Sequence, residues 1–391
     1  MSFTNSTLAV SRQFNGWNHS LQASPTNHVV VPANSISGNA LTGKEIGIQM
    51  SITSGDRNSD STLAHSTHTK LSMNKSNILV ADWLLPDFEL EAKVLRSKGI
   101  TWSMPAWAPP PPPAEEQVRQ LLERIRRTER IDAVLFMLAP LTTEVISALP
   151  PACKHLQRVG IGLDTVDIQA ATARGITISN TPDYATEEVA IHALAMILSL
   201  HRQLEATQKY LLLVGWRIVS PNPITRLSTL TLGLVGLGRI GNKLADLMRP
   251  MVKEILYADP EVQSAPPGLR KVDLDDLLAS SDIVSLHCPL LPSTKRLINA
   301  RSIELMKKEA LLINVARGGL IDADALAEAL RANRLAGAAL DVYESEVLPT
   351  NSSLRSSRNI ILTSHTAWYS KESVVDSRTQ AIQKMLSAIG G

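Results

Sequence analysis

Two groups of residues in this chain have types and spacings that could do chemistry. The first is Gly236-Leu237-Gly238-Arg239-Ile240-Gly241, which follows the apolar run 230–235 and precedes the helix-forming stretch 242–247. In that setting each glycine has a task. Gly236 permits a tight turn, Gly238 lets backbone approach a pyrophosphate, and Gly241 lets helix and strand pack closely, while the helix start offers amide donors and the positive end of its dipole. Asp259 follows a second strand candidate, 254–258. Its carboxylate can accept hydrogen bonds from both ribose hydroxyls and would repel a 2′-phosphate, so the dinucleotide expected here is NAD and not NADP. Arg239 would lie near the pyrophosphate.

The second group is Arg317, Glu346 and His365. Two follow apolar runs, 311–316 leading into Arg317-Gly318-Gly319 and 360–362 leading to His365, and Glu346 closes the segment Leu340-Asp341-Val342-Tyr343-Glu344-Ser345-Glu346. Ligands bind outside the carboxyl ends of strands in open α/β sheets, so a guanidinium, a carboxylate and an imidazole far apart in sequence are expected to meet there. Glu344 competes with Glu346 for the acidic position. His192, His201 and His287 read as packing residues, and no cluster at ligand spacing suggests a metal.

These groups need a scaffold. In residues 76–183, strand candidates at 77–82, 131–136, 155–159 and 176–178 alternate with helical stretches at 114–130, 143–149 and 167–173. The proline run 109–113 stops one element and starts another. Helical 187–202 leads to a second alternation that runs to about 362, and helical 373–389 closes the chain. Such alternation implies parallel sheets with right-handed crossovers. The expected fold is therefore α/β, with two Rossmann-like doubly wound parallel-sheet domains. A nucleotide domain (184–362) is inserted into a substrate domain (76–183 and 363–391), and a cleft lies between them.

With 391 residues, the chain is long enough for two cores. Residues 1–75 are rich in Ser, Thr and Asn and should form a disordered extension, with Met73 as the functional start. The net charge of +2, from 39 basic and 37 acidic residues, gives no broad field to attract nucleic acid or an anionic membrane. No window approaches the ~18 apolar residues of a membrane span. Cys153 and Cys288 stand in apolar surroundings and read as reduced thiols, which points to a cytoplasmic protein acting on a small molecule.

Over residues 76–391 the sequence resembles the D-isomer-specific 2-hydroxyacid dehydrogenases. Three motifs carry the likeness: the Gly236 fingerprint, Asn314-Val315-Ala316-Arg317-Gly318-Gly319-Leu320-Ile321-Asp322, and the 341–346 segment followed by His365. Glu344-Ser345-Glu346 and His365-Thr366-Ala367-Trp368-Tyr369 look most like the C-terminal-binding protein branch, whose members are dehydrogenase-like corepressors. The resemblance implies interconversion of a 2-oxo acid and a D-2-hydroxy acid. His365 would donate the proton, Glu346 would raise the histidine pKa and fix its tautomer, and the planar fork of Arg317 would bind the substrate carboxylate and reach the ketone oxygen. It also implies a substrate loop of Arg158, Val159, Gly160, Ile161 and Gly162, and further cofactor contacts from Ile240, Pro289, Ala316 and Asp341. Trp368 reads either as core or as a pocket wall favouring an apolar or thioether side chain over glyoxylate. Hinge closure would exclude water, and a homodimer joined through the nucleotide domain follows by analogy. The other function the likeness allows is an NAD(H)-sensing, corepressor-like interaction protein. Val347 and Ser364 stand where the family usually has proline, and Ile191 where an acidic residue is common, which loosens loop geometry without removing a catalytic group.

Overall fold

The apolar runs become strands of two separate parallel sheets. The computed structural model describes residues 76–106, 111–218, 223–264 and 266–390. The expectations for residues 1–75, including a start at Met73, lie outside these.

The first sheet contains β1 (Asn77–Val80), β2 (Thr101–Ser103), β3 (Ala133–Phe136), β4 (His155–Arg158) and β5 (Thr177–Ser179), in the order β2-β1-β3-β4-β5. Every described pairing is parallel. Its helices are α1 (Glu89–Ser97), α2 (Ala114–Arg127), α3 (Thr143–Ala148) and α4 (Ile168–Ala173). Central β3 is buried along its whole length, as its uninterrupted apolar sequence requires of a strand covered on both faces. Helix α2 starts directly after Pro113, where a missing N–H costs nothing, and buries Leu121, Leu122 and Ile125. Asp167 caps α4 by accepting a hydrogen bond from the Ala170 amide, a contact generally worth about 1 kcal/mol.

Helices α5 (Thr186–His201) and α6 (Leu204–Leu213) lead into the second unit. It comprises β6 (Thr231–Val235), α7 (Arg239–Met248), β7 (Glu254–Ala258), β8 (Leu269–Lys271), α8 (Leu274–Ser280), β9 (Ile283–Leu286), α9 (Ala300–Leu305), β10 (Leu311–Asn314), α10 (Ala323–Arg331), β11 (Gly337–Leu340) and β12 (Ile360–Leu362). The sheet order is β12-β11-β10-β9-β6-β7-β8, again all parallel. Between β6 and β9 the order reverses, which opens a crevice at their carboxyl ends. Apolar cores fill both faces of this sheet. Helix α7, expected from residue 242, begins at Arg239 because the glycine loop feeds straight into its first turn.

The closing helix, α11 (Lys371–Ala388), returns to the first sheet and packs on α1 and β4. Arg378 fastens it there. Its guanidinium bonds buried Glu91 at 2.6 and 2.8 Å and Asp87 at 2.8 Å, and lies over the Trp83 ring. The described residues thus form two Rossmann-like parallel-sheet domains, and the chain visits the first, then the second, then the first again.

Candidate active site

The glycine loop closes over the crevice between β6 and β9. Gly236 has φ +92°, and a Cβ there would lie 2.7 Å from the Cys288 nitrogen, so only glycine fits. A Cβ on Gly241 would press the Gly236 carbonyl oxygen at 2.5 Å, whereas Gly238 faces open space. The backbone is thus bare where a ligand's phosphates would approach the start of α7. Asp259 follows β7, accepts from the Leu237 amide at 2.8 Å through one oxygen, and accepts from the Glu261 amide at 2.9 Å through the other. Its carboxylate therefore borders the loop. Arg239 and Ile240 begin α7, and Arg239 pairs with Asp183 at 2.8 Å. Pro289 is exposed just beyond Cys288, and Ala316 is half-buried beyond β10. The residues present fit a dinucleotide carrying free ribose hydroxyls.

Arg317 follows β10 and reaches across to the first sheet. Its Nε donates to Asp164 Oδ2 at 2.6 Å and one terminal nitrogen donates to the Ala316 carbonyl at 2.7 Å. The other terminal nitrogen lies against Gly162, where any Cβ would overlap it. The loop of Val159, Gly160, Ile161 and Gly162 leaves β4 and is pinned from behind, since the Gly160 amide donates to Thr181 Oγ1 at 2.7 Å and Asn180 donates to the Ile161 carbonyl. Arg158 is buried beneath this loop, and its Nε has no partner among the described residues. Burial and the neighbouring Arg317 charge pull its pKa down to about 10.

His365 and Glu346 meet on loops beyond β12 and β11. His365 Nδ1 lies 2.9 Å from Glu346 Oε2, with both side chains about a third exposed. Glu344 instead faces Arg296 at 3.7 Å. His365 has φ +53°, a left-handed conformation that costs a non-glycine residue roughly 1–3 kcal/mol unless its surroundings impose it. They do. The His365 amide donates to the Asp341 carbonyl at 2.7 Å, and the Asp341 carboxylate accepts from Thr363 Oγ1 (2.5 Å), the Thr366 amide (2.9 Å) and the Ala367 amide (2.8 Å). Asp341 was expected at the cofactor. It is fully buried with both oxygens engaged in this turn, so its carboxylate organises the loop.

Tyr343 lies between Gly318 and Thr363. Its backbone presses so closely on Gly318, next to Arg317, that no side chain fits there, and its hydroxyl donates to the Thr363 carbonyl at 2.7 Å. Trp368, expected as core or pocket wall, is half-buried among apolar residues of both domains and stands edge-on to Tyr184 at 6.1 Å. Sequence reasoning missed Tyr184, whose ionisation is opposed by burial and eased by Arg158 and Arg317, and it missed Asp164, Thr181 and Thr363. None stands in a motif with chemistry of its own; only the fold brings them here.

The family described as "D-isomer specific 2-hydroxyacid dehydrogenase, NAD binding domain" matches residues 194–367. A glyoxylate reductase of Thermofilum pendens is 38% identical over 264 residues, which cover 66% of this chain and 76% of the relative. Among solved structures, the TT0316 protein from Thermus thermophilus superposes with a TM-score of 0.69 at 31% identity, covering 81% of this chain and 97% of that one. A glyoxylate reductase from Paecilomyes thermophila gives a TM-score of 0.71 at 27% identity, covering 81% and 96%.

Proposed function

This chain belongs to the D-isomer-specific 2-hydroxyacid dehydrogenase family, and from that premise we infer that it interconverts a small 2-oxo acid and a D-2-hydroxy acid, with Arg317, Glu346 and His365 as its catalytic residues. It is an NAD-dependent oxidoreductase. A bound nicotinamide supplies or accepts the hydride. Reduction builds negative charge on the carbonyl oxygen, which needs a proton and a nearby donor. The 2.9 Å His365–Glu346 contact carries the reading: it occupies Nδ1, fixes the tautomer and leaves Nε2 to hold the exchangeable proton. Arg317 keeps a terminal nitrogen beside Gly162, where the Ile161 and Gly162 amides and the guanidinium could grip one carboxylate, the Val159 and Gly160 amides being bonded within the protein. Gly236, Gly238, Arg239, Ile240, Gly241 and Asp259 hold the dinucleotide, with Pro289 and Ala316 beside it. Arg158, buried beneath the 159–162 loop, and Trp368, edge-on to Tyr184, border the substrate side.

Residues 184–362 act as the nucleotide-holding unit, and 76–183 with 363–391 as the substrate-holding unit. A homodimer joined through α5 and α6 fits the exposed apolar side chains there, and a cytoplasmic location fits two free cysteines.

The test is NADH oxidation, followed by absorbance, with glyoxylate, pyruvate and 4-methylthio-2-oxobutanoate. Turnover of at least one acid is expected, faster with NADH than NADPH, and His365→Asn should lower it by about 10²- to 10⁴-fold. A preference for the thioether acid over glyoxylate would support an apolar pocket; equal efficiencies would remove that refinement. Silence across the panel with NADH binding intact would overturn the enzyme reading in favour of a corepressor-like NAD(H) sensor.

A further inference from the structure

His192 sits on α5, outside the loops that carry Glu346 and His365, yet it enters their hydrogen-bond network. Its Nε2 is 3.1 Å from Thr363 Oγ1 and 3.7 Å from Asp341 Oδ1. The directions can be assigned. Thr363 uses its only hydroxyl proton on the buried Asp341 carboxylate at 2.5 Å, so its oxygen must accept from His192, which therefore carries its proton on Nε2. Glu188, one turn earlier on α5, is engaged by the Ser370 hydroxyl at 2.7 Å.

We propose that His192 is a positioning residue for His365: it fixes the Thr363 hydroxyl, which completes the Asp341 clasp, which holds the left-handed turn at His365. A donor on a threonine hydroxyl's lone pair strengthens the bond that the hydroxyl's own proton makes. Without the His192 donor, the Thr363–Asp341 bond loses the partner that polarises and braces it, and one of the carboxylate's three donors is weakened. The other two are the amides of Thr366 and Ala367, which must then hold an unfavourable backbone conformation with only the His365 amide–Asp341 carbonyl bond beside them. Among the described residues, His192 is the one side chain from outside the 341–346 and 363–367 loops that bonds to this clasp.

The inference rests on His365 being the proton donor, so its test reads backbone order separately from turnover. Hydrogen exchange of the 363–369 segment is followed by mass spectrometry in wild type, His192→Leu and His192→Gln, alongside kcat, KM and NADH affinity. Leucine is expected to speed exchange by roughly tenfold and lower kcat by a similar factor, the scale of one buried hydrogen bond, while NADH affinity stays unchanged. Glutamine, which still offers an N–H, should restore most of both. Thr363→Val should reproduce the leucine effect, and combining the two should add nothing. Unaltered exchange in His192→Leu, no rescue by glutamine, or additive losses would overturn the proposal. If His192→Leu does not fold, the Thr363→Val exchange and kcat decide in its place. Wild-type turnover in His365→Asn would instead sink the proton-donor role and leave the exchange result standing.

Discussion

At the scale of single residues, the site depends as much on what is missing as on what is present. Arg317 can lie across the cleft, bonded to Asp164 at 2.6 Å, because Gly162 has no side chain to occupy the space of its guanidinium. Gly162→Ala should therefore push Arg317 away from the substrate loop. Displacement of a positioning group by about 1 Å commonly costs on the order of 10²-fold in rate, so kcat/KM for the 2-oxo acid should fall by about that factor. Thermal stability and NADH affinity should hardly change, since the glycine lies outside the cofactor loop. Undiminished kcat/KM in this variant would show that the guanidinium does not need its observed place. Arg317 and His365, proposed here as catalytic, stand out in the sequence by type and by position after a strand, whereas Glu346 shares its segment with Glu344 and only the contact with His365 separates them. Asp164, Tyr184 and Thr363 do not stand out, because nothing local distinguishes them from solvated or packing residues.

Among the elements, the end of β9 carries a consequence for pH. His287 packs beneath the glycine loop with Nε2 2.9 Å from Ser285 Oγ, and burial pulls its pKa down to about 4. The folded protein keeps this imidazole neutral, whereas the unfolded chain would protonate it near 6.5. Between those values the unfolded state binds more protons, so stability is lost as pH falls from about 6.5 toward 4 and is retained above that window. The full effect is on the order of 3 kcal/mol. Melting temperatures measured across this range should fall for the wild type and fall less for His287→Asn; equal slopes would show that other groups govern acid sensitivity. The elements themselves were largely readable, since continuous apolar runs such as β3 and β10 are what a strand covered on both faces demands. Their ends were less so: α7 starts earlier than its composition suggests, because the glycine loop and helix are one device.

For the whole molecule, the most telling surface is α6 and the residues just after it. This helix buries none of its side chains, and Leu212, Leu213, Val214, Trp216 and Ile218 are 70–90% exposed. Helix α5 beside it is apolar on most of its circumference, including exposed Ile191, which suits an element covered on more than one side. Sedimentation should give a dimer, and Leu212→Glu with Trp216→Glu should give a monomer; a monomeric wild type would end the proposed assembly. The sequence by itself determined the two alternating α/β regions and the glycine-loop motif, and it supplied the side chains proposed for the ribose and for catalysis, because local periodicity and motif spacing are written in consecutive residues. Only the tertiary structure decided that α11 locks onto α1 through Arg378, that Asp341 shapes the His365 turn, and that Asp164 meets Arg317. Those contacts join residues far apart in the chain, and their geometry exists only once both sheets have packed.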